Sequence, residues 1–85
     1  MRFRVERTPQ FVLEFKTWVA TDAKKARKIL DLMKAVEADP FKGIGLPEPL
    51  KHTGLWSRRI DRINRLVYRV DAGVVRFHTC RGHYE

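Results

Sequence analysis

The sequence predicts an α+β domain: an N-terminal strand, a helical hairpin, then a three-stranded antiparallel meander, with every strand in one sheet covered by the helices. Three observations carry this. Apolar residues recur at helical spacing only in the stretch between Thr8 and Asp39. Charged and apolar residues alternate before it, and short apolar runs separated by polar turns follow from Leu55 onward.

The elements follow in order. "RFRVER" alternates, with Phe3 and Val5 on one face, and reads as a short strand with one buried side. Thr8 can cap a helix, and Pro9 suits its first turn. Phe11, Val12, Phe15, Trp18 and Val19 then form an apolar face. Asp22 reads as a second cap. Behind it Ala26, Ile29, Leu30, Met33 and Val36 make a stripe, with Lys24, Lys25, Arg27, Lys28 and Lys34 off it. Asp39-Pro40 ends that helix. "FKGIGLPEPLKHTG" has two glycines and two prolines between Gly43 and Pro49, which predicts an irregular loop. "LWSRRI", "RLVYRV" and "VVRFHTC" are the three meander strands, joined by turns at Asp61–Asn64 and Asp71–Gly73. With the helices on one face, the other is left for function or a partner.

The chain has 85 residues, enough for one domain spanning 1–85. One cysteine, Cys80, excludes an internal disulfide and fits a reducing compartment, the cytoplasm. No stretch reaches the roughly 18 apolar residues of a membrane span. The net charge is +8. Residues 41–85 carry nine basic and four acidic side chains, and seven of the nine are arginine. Arginine's planar fork matches phosphate oxygens and stacks on bases, so the expected partner is nucleic acid.

No CxxC, HExxH or other metal spacing occurs, so no metal site and no cofactor are expected. The chemistry-bearing groups lie in the second half. Glu48 stands between Pro47 and Pro49, which restrict the backbone on both sides of its carboxylate. Lys51 and His52 follow. Arg58, Arg59, Arg62 and Arg65 fall within eight positions, and Arg58 and Arg62 read as part of an exposed charged sheet face. The chain closes on "RGHYE", a titratable ring at His83 beside a stacking ring at Tyr84. A carboxylate, an arginine and a histidine are sufficient to cut RNA without metal. One takes the 2′-hydroxyl proton, one holds the phosphorane's charge, and one protonates the leaving 5′ oxygen.

"LPEPLKHTGLWSRRIDRINRLVYRV", together with the terminal "CRGHY", resembles the YoeB/Txe family of bacterial toxins within the RelE superfamily. The resemblance is strong from Phe41 to Val70 and at the last residues. It implies a RelE-like fold and an endoribonuclease that cuts messenger RNA in the ribosomal A site. It also implies restraint by a cognate, YefM-like antitoxin and a homodimer. By motif, Glu48 is similar to the family's general base, Arg65 to its phosphate-binding cation, His83 to its general acid and Tyr84 to its orienting ring. Lys51, His52 and Arg59 correspond to the RNA path. The chain departs from the family pattern at Asn64, where histidine is usual, at Leu46, and at Glu85 beyond the tyrosine. The loop before Trp56 is about two residues shorter. Two other readings share the fold: a non-enzymatic ParE-like toxin, and a catalytically silent RNA-binding module held by an antitoxin. His83→Ala separates the enzyme from the binding module, since the enzyme loses cleavage while still binding its antitoxin and the module loses little; gyrase inhibition without RNA cleavage would mark the ParE-like reading.

Overall fold

The computed structural model describes residues 3–82. β1 (Arg4–Arg7) leads into α1 (Pro9–Thr21) and α2 (Ala23–Ala38), followed by β2 (Glu48–Leu50), β3 (Leu55–Arg59), β4 (Arg65–Asp71) and β5 (Val74–Thr79). The sheet order is β1-β5-β4-β3-β2. β1 runs parallel to β5, and the other neighbours are antiparallel. The α+β class, the single sheet and the meander are as the sequence predicts.

Local chemistry sets the helix ends. The Thr8 hydroxyl accepts from Phe11 N and donates to His78 O, fixing the start of α1 against β5. Asp22 closes α1 through its backbone N–H to Trp18 O, and its carboxylate accepts from Lys25 N to open α2. One residue therefore turns the hairpin. Glu14 then accepts from Thr79 Oγ1 and Cys80 N. It caps the edge of β5 that β1 no longer covers.

The core lies between the helices and one sheet face. Phe11, Ile29, Leu32, Met33 and Val36 meet Leu66, Tyr68, Val75 and Phe77 there. Cys80 is fully buried, and burial followed by the Glu14 charge pushes its thiol up to about 12.

Four expectations need correction. The loop is not wholly irregular, because Glu48–Leu50 pairs with β3 as an edge strand. Proline is tolerated there, since an edge strand keeps one side unpaired. In α2, Leu32 is fully buried while Leu30 is 42% exposed. The stripe is wider than a single ridge and turns toward the loop, where a Cβ on Gly45 would come within 2.7 Å of Leu32 Cδ2. Val19 is exposed although its neighbour Trp18 packs on the core and donates to Cys80 O, so the buried face of α1 passes through Trp18 and not through Val19. Arg58 is the largest departure. It is not an exposed charge but wholly buried.

Arg58 lies two residues from Trp56 and from Ile60 and so shares their face, which strand geometry turns to the core side opposite Leu66 and Tyr68. Its Nη2 donates to Asp39 O and Lys42 O at 2.5 and 3.0 Å, and its Nη1 to Ile44 O at 3.0 Å. Its Nε donates to the Tyr68 hydroxyl, which donates in turn to Pro40 O at 2.6 Å. A buried cation thus gathers the carbonyls of the loop that leads to Glu48. Arg62, by contrast, is exposed as expected.

Candidate functional site

The face away from the helices is built by strand alternation. Glu48 sits opposite Ser57, Ser57 opposite Val67, and Val67 opposite Thr79. These four form one row across the sheet. Arg59 pairs with Arg65 two residues further along. Period-two geometry therefore puts Glu48, Arg59 and Arg65 on the same open face. Glu48 and Arg59 are exposed, and Arg65 is half-buried.

Arg65 is held by the turn before it. Its Nη1 donates to Asp61 O at 2.9 Å and to Asn64 O at 3.2 Å. The rest of the fork meets no acceptor among the described residues, which leaves donors for an anion. The turn itself is tied by Asp61. Its Oδ1 accepts from Ile63 N and Asn64 N at 2.8 and 2.6 Å, and Asn64 Nδ2 reaches both carboxylate oxygens. Lys25 Nζ lies 3.0 Å from Asp61 Oδ2. Burial works against the charged carboxylate, but the hydrogen bonds from Asn64, Ile63 and Lys25 outweigh it and hold Asp61 well below the usual carboxylate range.

The same turn receives Gly82. Arg65 N donates to Gly82 O at 3.1 Å, and Gly82 N donates to Asn64 Oδ1 at 2.8 Å. Gly82 has φ +87°, a conformation that favours glycine. The backbone one residue before His83 is thus fastened beside Arg65. His83 and Tyr84 themselves lie outside the described residues.

Lys51 and His52 are exposed in the turn after β2, at the opposite end of that hairpin from Arg59. His52 has φ +61°. Glu48 therefore stands between two separated basic groups rather than within one. Among the described residues no three His, Cys, Asp or Glu side chains converge as a metal-binding group. No helix among them is long and apolar enough to cross a membrane.

Residues 7–84 match the family model described as "YoeB-like toxin of bacterial type II toxin-antitoxin system". The chain belongs to the YoeB-like toxin family. The "Toxin YoeB" of Mycobacterium bovis is 48% identical over 73 residues, which is 84% of this chain and 86% of that one. A YoeB/ParE toxin from Agrobacterium tumefaciens superposes with a TM-score of 0.91 at 39% identity, covering 95% of this chain and 99% of that one. The YoeB of Staphylococcus aureus is similar both as a dimer and in a heterotetrameric YoeB–YefM toxin–antitoxin complex. The TM-scores are 0.88 and 0.85, at 36% and 37% identity, and each covers 99% of this chain and 100% of that one.

In this YoeB-like toxin, sequence reasoning missed three contributors to the open face. Asn64 fastens Gly82, a role that only the folded turn reveals. Arg69 lies over the β2–β3 turn, its Nη2 donating to Thr53 O at 2.9 Å. Its place two residues after Val67 was the available signal. His78 is the extra residue of a β-bulge, because Val67 pairs with Thr79 but Tyr68 with Phe77.

Proposed function

We propose that this YoeB-like toxin is a ribosome-dependent endoribonuclease that cuts messenger RNA in the A site. The observation that carries the reading is the shared face of Glu48, Arg59 and Arg65, with the Gly82 backbone fastened to Arg65. Glu48 takes the proton from the 2′-hydroxyl as that oxygen attacks the adjacent phosphorus. Arg65, oriented by two turn carbonyls, presents its free donors to the phosphorane oxygens. The bond from phosphorus to the 5′ oxygen breaks, and His83 supplies the proton that oxygen takes up. The products are a 2′,3′-cyclic phosphate and a 5′-hydroxyl. Tyr84 orients the substrate by stacking, and Arg59, Lys51 and His52 hold the flanking backbone. Charge stabilisation in this reaction falls to Arg65.

The +8 charge suits docking on ribosomal RNA and fast capture by an acidic antitoxin of the YefM kind. The Staphylococcus aureus complex supports such a partner, and the dimer from the same organism supports a homodimer. The whole of residues 1–85 is read as one domain acting in the cytoplasm.

Primer extension on a defined messenger tests the reading, using purified protein with and without programmed ribosomes. Wild type is expected to cut within the A-site codon only when ribosomes are present. His83→Ala and Glu48→Gln are each expected to slow cutting by about 10²–10⁴-fold while still binding antitoxin. Unchanged cutting in His83→Ala, or no cutting by folded wild type, would overturn it.

A further inference from the structure

A second feature of the open face is not used by the chemistry above. Thr8, Gln10, Leu55, Val67, His78 and Thr79 line a hollow of about 290 Å³, near the lower limit of roughly 300 Å³ for small-ligand pockets. Leu55 and Val67 supply apolar surface. The Thr8 hydroxyl proton is committed to His78 O, and that of Thr79 to Glu14. The Gln10 amide nitrogen is likewise committed to Glu14. His78 Nε2 is different. It is buried and has no hydrogen-bond partner among the described residues. A buried polar atom without a partner is costly, and it marks a place where a ligand group can repay that cost. Burial, then the charges of Arg69 and Arg76, push the imidazole's pKa down, so the ring is neutral at physiological pH. A neutral imidazole nitrogen donates or accepts according to tautomer.

The position narrows the ligand. Val67 shares the row of Glu48, two strands away, about 10 Å at ordinary strand spacing. That is a reach a neighbouring nucleotide spans. No lysine or arginine among the described residues lines the hollow, so a phosphate gains nothing there by entering it. Cations stand on the same face outside it, at Arg59, Arg65, Arg69 and Arg76. The fitting ligand is therefore flat and partly apolar inside, with one polar edge toward His78, and anionic outside. Unstacked bases of single-stranded RNA have this character.

We propose that the hollow receives a nucleobase of the messenger adjacent to the cut and that His78 reads its edge. The identity of the ligand rests on the endoribonuclease reading, but occupancy of the hollow can be measured without cleavage. In ¹H–¹⁵N spectra of the full chain, each of the four nucleoside 5′-monophosphates is titrated separately. Shifts are expected at Val67, His78 and Thr79, with at least a threefold lower half-saturation for one base than for the others. The preference is expected to vanish in His78→Ala, with its fold verified by an otherwise unchanged spectrum. Leu55→Trp, which fills the hollow, is expected to abolish the shifts. On programmed ribosomes, His78→Ala is expected to flatten base preference at one position beside the cut.

Absent shifts at those residues, or equal response to all four bases, would overturn the proposal even if wild type cuts RNA. Base-selective shifts without any RNA cutting would leave the hollow a nucleotide site and overturn only the enzymatic reading.

Discussion

In the proposed reaction Arg65 holds the phosphorane's charge, and its geometry explains why lysine would not serve there. One corner of its fork is spent on the carbonyls of Asp61 and Asn64, which aims the remainder. An ammonium is a compact point charge without that fixed fork. Arg65→Lys is expected to fold normally and to lose at least 10²-fold in cutting rate, measured under single turnover on programmed ribosomes. The support beneath Arg65 makes a pH signature. The Asp61 carboxyl is depressed in the fold from an ordinary value of 3.8. A depressed carboxyl stabilises the fold fully above its unfolded pKa, and that stability is lost as pH falls through the folded value. Thermal melts should therefore show Asp61→Asn well below wild type at pH 7, with the gap closing steadily below about pH 4. A constant gap across that range would mean that the carboxylate's charge contributes nothing. The place of Glu48 between two prolines was legible in the sequence. The role proposed for Arg65 came only through resemblance, and the contact made by Asn64 was invisible. Asn64 acts on Gly82, eighteen positions away in sequence, through a turn whose closure no local pattern encodes.

At the scale of elements, the segment from Asp39 to Gly45 is shaped by a buried cation rather than by apolar packing. Arg58 and Tyr68 draw together the carbonyls of Asp39, Pro40, Lys42 and Ile44, and Arg59 N donates to Gly45 O. Glycine is required at 45, where φ is +85° and a Cβ would meet Leu32 and Arg58. Glu48 begins three residues later, so this clamp sets where β2 joins the sheet. Tyr68→Phe leaves Pro40 O and the Arg58 Nε without their partner. It should cost about 1–3 kcal/mol, a Tm drop of roughly 5–20 °C in a domain this small, read by calorimetry. An unchanged Tm would show that the hydroxyl is dispensable. The helices and the meander were legible because their periods and caps agree. Thr8, Asp22 and Asp39 end their helices where the sequence predicts. β2 was not legible, because three residues with a central proline carry no alternation. Arg58 was misread because a charged residue suggests solvent. The face it shares with Trp56 and Ile60, two residues to either side, is the better guide.

At the scale of the whole molecule, charge and one open sheet face act together. Fold class and the basic character of the second half were plain from the sequence. The assembly of Glu48, Arg59 and Arg65 on one face depends on register, which pairing fixes and composition does not. A +8 chain that neutralises several phosphates should bind ribosomes less tightly as salt rises. Affinity measured by sedimentation is expected to fall at least tenfold between 50 and 200 mM salt. A flat response would assign docking to apolar contacts instead. In the proposed reaction this face promotes attack by the messenger's own 2′-hydroxyl. The most direct test places a single 2′-deoxy nucleotide at the mapped cut position of a messenger held in the A site. Cutting is expected to vanish at that position while the all-ribose messenger is cut normally. Persistent cutting there would contradict it, because the attacking oxygen would then come from somewhere other than the RNA.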